Sequence, residues 1–220
     1  GHTLHRSTMD MSSAAQMANA ALRDQQDVAQ GDLVVTAPIA FGSTWLVPRL
    51  GNFINANPNM RVDLRLDDGE TYDLLKLEAE CAIRLWAAEK SDLIQRKLGT
   101  VATNLYATPD YLKRHGTPRT PQDLDNHRII GYGTEKSMLD AMSWAQRVGR
   151  DDTLPRKASL SVNNVPAMLR AVEAGLGIAD LPDYMASTSP RLVRVLPDHT
   201  GPTFDLYFIY PSDLKRSKRI

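Results

Sequence analysis

The residues best placed to do chemistry in this chain lie between Gly31 and Pro58, in the stretch GDLVVTAPIAFGSTWLVPRLGNFINANP. A β-branched apolar run, Leu33 to Ala37, enters a turn that carries Pro38, Gly42, Ser43 and Thr44. A helical pattern then begins and stops at Asn57-Pro58. The first turn of a helix offers backbone N–H groups with no acceptor inside the helix, together with the positive end of its dipole. Placed at the end of a strand, such a turn is where ligands collect in open α/β sheets. Ala40, Phe41, Gly42, Ser43 and Thr44 are therefore candidates to hold a carboxylate or another acceptor. The plainer alternative is that Ser43 or Thr44 caps the helix; the two roles are compatible.

Asn163 and Asn164 sit at a matching strand-to-helix turn later in the chain. An asparagine both donates and accepts, which suits a ligand of mixed polarity, and it is equally at home as a turn or cap residue. Arg84 follows the apolar run Cys81-Ala82-Ile83, where it could grip a carboxylate bidentately or pair with a nearby acid such as Glu78 or Glu80. Leu85 and Trp86 come next; Trp86 could stack on a ligand or merely cover an edge. Other chemistries lack residues. The histidines, His2, His5, His115, His127 and His199, are scattered, with no i,i+4 pair and no cysteine neighbour, so no metal is expected. Gly131-Tyr132-Gly133 and Gly175-Leu176-Gly177 do not make a dinucleotide fingerprint. With no nucleophile elbow, phosphate loop or paired carboxylates, the chain is not expected to be an enzyme or to carry a cofactor.

The elements that must position these residues alternate. Arg61 to Leu66 switches strictly between charged and apolar residues, the pattern of a half-buried strand near a sheet edge. Gly69-Glu70-Thr71 opens a short helix with Leu74, Leu75 and Leu77. Cys81-Ala82-Ile83 reads as a buried strand, and 93–98 and 104–107 as two more. Thr108-Pro109-Asp110 starts a helical turn that Gly116 ends, and Thr120-Pro121-Gln122-Asp123 is a further helix start. His127 to Tyr132 is a strand, followed by a polar, irregular span, 133–157, anchored by Trp144. Then come a strand over 159–162, an apolar helix over 165–174 ended by Gly175, a strand from 176 towards Pro182, and final strands at 192–196 and 206–210. Strands alternating with helices predict α/β lobes with parallel sheets and helices on both faces. The two strand–turn–helix units, at 33–57 and 159–175, predict two lobes, each giving one helix start to a shared cleft.

The totals bound the classes. The chain has 220 residues, 42% of them apolar, and 26 basic side chains against 26 acidic ones. That length fits one large domain or two small ones, and a neutral balance argues against a surface built mainly to grip nucleic acid. A single cysteine, Cys81, excludes a disulfide framework and points to a reducing compartment. No apolar run approaches the ~20 residues that span a bilayer, and no secretory signal pattern is present. Gly1-His2 reads as a tag remnant, so a piece of something larger is expected. Ser12 to Gln30 has helical spacing but few large apolar groups, which suits a linker helix pairing with another copy.

The order and spacing of these segments resemble the effector-binding domain of LysR-type transcriptional regulators. The resemblance is carried by GDLVVTAPIAFGSTWLVPRLGNFINANPNMRVDL, by Ala82-Ile83-Arg84, by LYATPDYLKRHGTPRTPQDL (105–124), by VNNVPAMLRAVEAGLGIADLP (162–182) and by LYFIYPS (206–212). Within it, the A-P-x-A-F-G turn resembles one subgroup. Leu4 to Thr8 and Met11 to Ala15 are similar to the wing and first linker turn of the family's winged helix-turn-helix domain, although the family usually has Gly where Ala15 stands.

The resemblance implies two Rossmann-like lobes of the type 2 periplasmic-binding-protein kind, joined by two crossover segments. Residues 1–11 would be the wing remnant, 12–30 the linker helix, 31–130 and 203–220 lobe I, and 131–202 lobe II. A small-molecule effector would bind between the lobes of a cytoplasmic bacterial homodimer or homotetramer, and DNA would be bound through the N-terminal winged helix-turn-helix domain that precedes this sequence. Helix 44–57 and strand 61–66 would pack against helix 165–174 of a neighbouring copy. Tyr132, at the first crossing, would close the cleft or serve as hinge packing. Asp180 departs from the apolar residue usual in the family. It would repel an anionic ligand or select a cationic or hydroxyl-bearing one, unless it faces solvent or a salt bridge. The rival reading is a solute-binding protein of a transport system on the same fold.

Overall fold

The computed structural model describes residues 29–68, 72–76, 78–133, 143–151 and 154–220. The wing remnant and all but the last two residues of the expected linker helix lie outside these. So do Gly69, Glu70, Thr71 and Leu77 of the short helix expected there, whose described part, residues 74–76, is a turn. The chain divides into two compact units, one taking the chain up to Gly99 together with Asp205–Ile220, the other Thr100–Phe204.

In unit 1, β1 (Gly31–Ala37) lies parallel between β2 (Met60–Leu66) and β3 (Cys81–Arg84). Strand β9 (Thr203–Pro211) pairs antiparallel with β3, giving the order β2-β1-β3-β9. The alternation at 61–66 is thus an edge strand, as read. Leu33, Met60 and Cys81 fill one side of the core, and Leu74, Ala79, Ala82 and Ile209 fill the other. A buried ion pair ties the chain's last residues to the sheet: Arg219 Nη1 lies 2.6 Å from Glu80 Oε1 and also donates to the Asp32 carbonyl at 2.7 Å.

The helix after β1 is built in four pieces: α1 (Ile39–Phe41), a π-helical segment Gly42–Leu46, a 3-10 turn Val47–Arg49 and α2 (Leu50–Ala56). Pro48 explains the breaks. It has no N–H to give the Thr44 carbonyl, and its ring would press on that carbonyl in a regular α-helix. The backbone answers by bonding Val47 N–H to the Gly42 carbonyl, five residues back. Gly42 itself is fixed by packing, since a Cβ there would come within 2.1 Å of Leu66 Cδ2 on β2.

Strand β4 (Leu93–Ala107) begins in unit 1 and enters unit 2 at Thr100, where its second half pairs antiparallel with β7 (Ala179–Pro182) and β8 (Val193–Val195). Strands β5 (Ile130–Tyr132) and β6 (Leu160–Val162) pair parallel, and Ile129 bridges to Ile178. Helix α3 (Pro109–His115) starts on Thr108, whose hydroxyl accepts the Tyr111 N–H at 3.2 Å. Asp123 secures the 3-10 turn Pro121–Asn126 by accepting the Arg119 and Thr120 amides at 2.8 and 2.9 Å, which holds its carboxyl below the usual range. Two short helices, α4 (Trp144–Arg147) and α6 (Asp183–Ala186), flank the longer α5 (Val165–Glu173), which Gly175 ends with a left-handed φ of +70°.

Three expectations change. The candidates at 93–98 and 104–107 are one strand, because the small and β-branched residues between them continue the ladder. The large sheet is mixed rather than parallel, because β9 returns antiparallel beside β3, and β7 and β8 antiparallel beside β4; only β1 with its two neighbours, and the separate β5–β6 pair, are parallel. Finally, residues 100–130, expected in lobe I, belong to unit 2: Leu105, Ala107, Tyr111, Leu124 and Ile129 share one buried cluster with Ala145, Ile178, Val195 and Leu196.

Candidate functional site

In unit 1 the three parallel strands finish at one end of the sheet, at Ala37, Leu66 and Arg84. Pro38, extended at φ −57° and ψ 141°, turns the chain from β1 straight into α1. The helix therefore begins earlier than the expected loop through Gly42 to Thr44 allowed. The first bond within it runs from Gly42 N–H to the Pro38 carbonyl at 2.8 Å, and the amides ahead of Gly42 precede it. One of those amides is taken from within the protein: Asp68, just past β2, accepts the Ile39 N–H on Oδ1 at 2.9 Å. A built-in carboxylate thus stands where a ligand carboxylate was expected.

Ser43 and Thr44 are not caps. Ser43 Oγ donates to the Ile39 carbonyl and Thr44 Oγ1 to the Ala40 carbonyl, each at 2.6 Å. With each hydroxyl proton aimed at the backbone, the oxygens keep their lone pairs. Ser43 is exposed and Thr44 half-buried, whereas Ala40, Phe41 and Gly42 are buried. This surface offers acceptors to a ligand that brings donors.

Arg84 closes the same end of the sheet. It is 5% exposed, and its Nη1 donates to Thr36 Oγ1 at 2.6 Å and to its neighbour's carbonyl, Ile83 O, at 3.1 Å. The acids named above as its alternative partners are occupied otherwise: Glu80 by Arg219, and Glu78 by the Asp73 amide at 2.8 Å. Leu85 and Trp86 follow, both half-buried.

In unit 2, Tyr132 pairs with Val162 at the ends of two parallel strands, and Gly133 N–H donates to the Val162 carbonyl at 2.8 Å. Asn163 and Asn164 follow directly, so these three candidates share one end of the β5–β6 ladder. Asn164 caps α5, its Oδ1 accepting the Ala167 N–H at 3.0 Å, while Asn163 is exposed.

Asp180 is a correction. It lies in β7 with no exposed surface, so it faces neither solvent nor a ligand. It also makes no salt bridge among the described residues. Its Oδ1 is 3.4 Å from the Ala145 N–H, its Oδ2 has no hydrogen-bond partner, and burial pushes its carboxyl up to about 7.

Burial pushes the Cys81 thiol up to about 12, well away from thiolate chemistry at neutral pH. Among the described residues no cluster of three or more metal-ligating side chains occurs, and no helix is long and apolar enough to cross a membrane. Two members of the unit 1 site escaped the sequence reading. Thr36 was hidden in a β-branched strand. Asp68 carried a signal, an acid placed just after a strictly alternating strand.

Residues 26–220 match the model of the LysR substrate binding domain. The chain belongs to that family. Its relatives are transcriptional regulators, not enzymes. An HTH-type transcriptional regulator of Xanthomonas campestris is 32% identical over 96% of this chain and 62% of its own length. An uncharacterised HTH-type regulator of Haemophilus influenzae is 29% identical over 83% of this chain and 64% of its own. The chain thus spans a little under two thirds of these relatives. Among solved structures, the regulatory domain of CrgA, a LysR-type regulator from Neisseria meningitidis, has a TM-score of 0.73 at 23% identity, covering 84% of this chain and 90% of that one. A second structure of CrgA from the same organism has a TM-score of 0.78 at 22% identity, covering all of this chain and 74% of that one. These likenesses place the fold with the LysR substrate-binding domains, and the relatives give the transport reading no support.

Proposed function

We propose that this LysR-family domain is the effector-sensing and oligomerisation part of a cytoplasmic bacterial transcriptional regulator, which reaches DNA through an N-terminal winged helix-turn-helix domain. A small metabolite is its effector. The observation that carries this reading is the buried Arg84, held by Thr36 at the carboxyl end of three parallel strands, with the start of α1 at the same end. A ligand acid pairs with the Arg84 guanidinium. Donors on the same ligand meet the oxygens of Ser43 and Thr44, because Asp68 already fills the Ile39 amide. A polar acid bearing hydroxyl or amino groups fits this set better than a simple carboxylate.

Oligomerisation is supported by α2, which has no buried residue although it carries Phe53 and Ile54, both exposed together with Trp45 and Val47. An effector acts by preferring one arrangement of the domain over another, and the shift it causes equals that difference in affinity. Thermal-shift screening of hydroxy acids, amino acids and aromatic acids tests the proposal, since a ligand of the folded state raises the midpoint. Ser43→Ala and Arg84→Gln are expected to shrink the shift given by a true effector; an unchanged shift in both refutes the site.

A further inference from the structure

The three parallel strands of unit 1 begin at Gly31, Met60 and Cys81, at the end of the sheet opposite the one that carries Arg84. The last residues of the chain are packed against this starting end. Ile220 joins Ala29 on the apolar cluster of Leu33, Met60 and Cys81. Leu214 is buried, and Arg219 donates to the Asp32 carbonyl at 2.7 Å and pairs with Glu80 at 2.6 Å. The stretch between them is ordered by its own backbone. After the 3-10 turn Ser212–Leu214, Lys215 N–H donates to the Ser212 carbonyl at 3.1 Å and Ser217 N–H to the Leu214 carbonyl at 3.0 Å.

This turn carries Lys215, Arg216 and Lys218. All three are exposed, and none makes an ion pair among the described residues. Arg219, buried and matched by Glu80, fixes the turn rather than adding to its surface charge. The nearby carboxylates, Asp92 and Asp213, flank the start of the turn, where Ser212 N–H donates to the Asp92 carbonyl at 3.0 Å. Asp32 is paired with Arg61 at 2.7 Å. The neutral total of the chain thus hides a local cationic surface, held in place by packing on both sides. It lies beside the point where the chain enters β1 from its N-terminal side.

We propose that Lys215, Arg216 and Lys218 form an accessory contact for the phosphate backbone of duplex DNA. The proposal rests on the reading above, in which a winged helix-turn-helix domain ahead of this sequence holds the DNA and the chain enters unit 1 beside the turn. The contact neutralises phosphates and reads no bases. Three cations on three phosphates give a slope of about −2.7 in log K against log salt, at about 0.9 per phosphate. Alone such a contact is weak, with a Kd on the order of 10⁻⁴ M. Tethered to DNA that the same chain already holds, it works at an effective concentration on the order of millimolar and is occupied. It strengthens the hold on DNA without adding sequence preference.

Fluorescence anisotropy of a labelled duplex of about 24 base pairs and arbitrary sequence, in salt from about 20 to 150 mM, tests this with the full chain. The variant Lys215→Gln/Arg216→Gln/Lys218→Gln is compared with Lys113→Gln/Arg114→Gln/Lys157→Gln, which removes the same charge from exposed positions of unit 2. The unsubstituted chain and the unit 2 variant are expected to bind the duplex. The turn variant is expected to bind about tenfold or more weakly at the lowest salt and to lose about 2–3 from its salt slope. Lys215→Arg/Lys218→Arg, which keeps the charge, is expected to bind as the unsubstituted chain does. No binding by the unsubstituted chain at the lowest salt, equal losses in the turn and unit 2 variants, or a loss in the arginine variant overturns the proposal. So does complete displacement of the duplex by poly-L-glutamate at equal charge, which would assign the turn to an acidic protein surface. The effector-dependent thermal shift does not involve this turn, so its absence would refute the sensing reading and leave the duplex measurement to judge the contact.

Discussion

Replacing Gly42 by Ala tests whether that glycine serves packing or ligand approach. The new Cβ would lie 2.1 Å from Leu66 Cδ2 and 3.3 Å from Leu66 Cγ, well inside van der Waals contact. The clash is with the far end of a flexible, half-buried side chain on an edge strand, so Leu66 can turn away at the low end of the overpacking range, about 1–3 kcal/mol. Alanine returns up to about 1 kcal/mol through its better helix propensity. The expected net loss for Gly42→Ala, the clash less the propensity gain, is therefore at most about 1 kcal/mol. Leu66→Ala removes the obstacle, so in that background the same substitution becomes neutral or stabilising, a coupling of roughly 1–2 kcal/mol. Urea unfolding of the four chains of the cycle measures it. An equal cost of Gly42→Ala in both backgrounds would refute the packing argument and return the glycine to ligand approach.

Three further expectations follow from single contacts. Asn164→Ala removes the cap on α5 and should cost about 1 kcal/mol in chemical unfolding, whereas Asn164→Asp should cost much less; equal costs would mean that the cap bond contributes nothing. Burial and the charge of His115 hold the His127 imidazole below its ordinary value. The unfolded chain then binds more protons than the folded one, so stability drops as pH falls through the window just below 6.5 and is level above it. His127→Asn should flatten that drop, and an unaltered profile in melting curves would remove His127 as its cause. The Cys81 thiol, pushed up to about 12 by burial, should react with a disulfide reagent only as fast as the protein opens; rapid labelling in native buffer would contradict its placement in the core.

The parts of the fold that local chemistry dictates were legible in the sequence. The charged–apolar alternation at 61–66 marked an edge strand, Thr108 and Thr120 marked real helix starts, and the apolar run at 81–83 marked a strand with every residue buried. Interactions between distant segments were not. Whether β4 stops near Gly99 or runs on depends on the partners it finds far along the chain, β7 and β8, where Leu105 pairs with Asp180 and Val195. At the site, residue types gave the location but not the direction of the bonds. A hydroxyl can donate or accept, and Ser43 and Thr44 donate backward along the helix, which reverses the ligand polarity they favour. Arg84 could be placed at a strand end, but its burial against Thr36 belongs to the sheet and not to its neighbours in sequence. Asp180 stands out in the sequence as an unusual residue, yet its burial against α4 is created only by packing.

The central claim is that a small molecule is sensed where the parallel strands of unit 1 end. A crystal structure of the chain with the strongest hit from the thermal-shift screen tests this most directly. The ligand is predicted to place an acidic group within hydrogen-bond distance of Arg84 and a donor on Ser43 or Thr44; a ligand bound in full occupancy away from residues 36–44 and 84–86 would contradict the account.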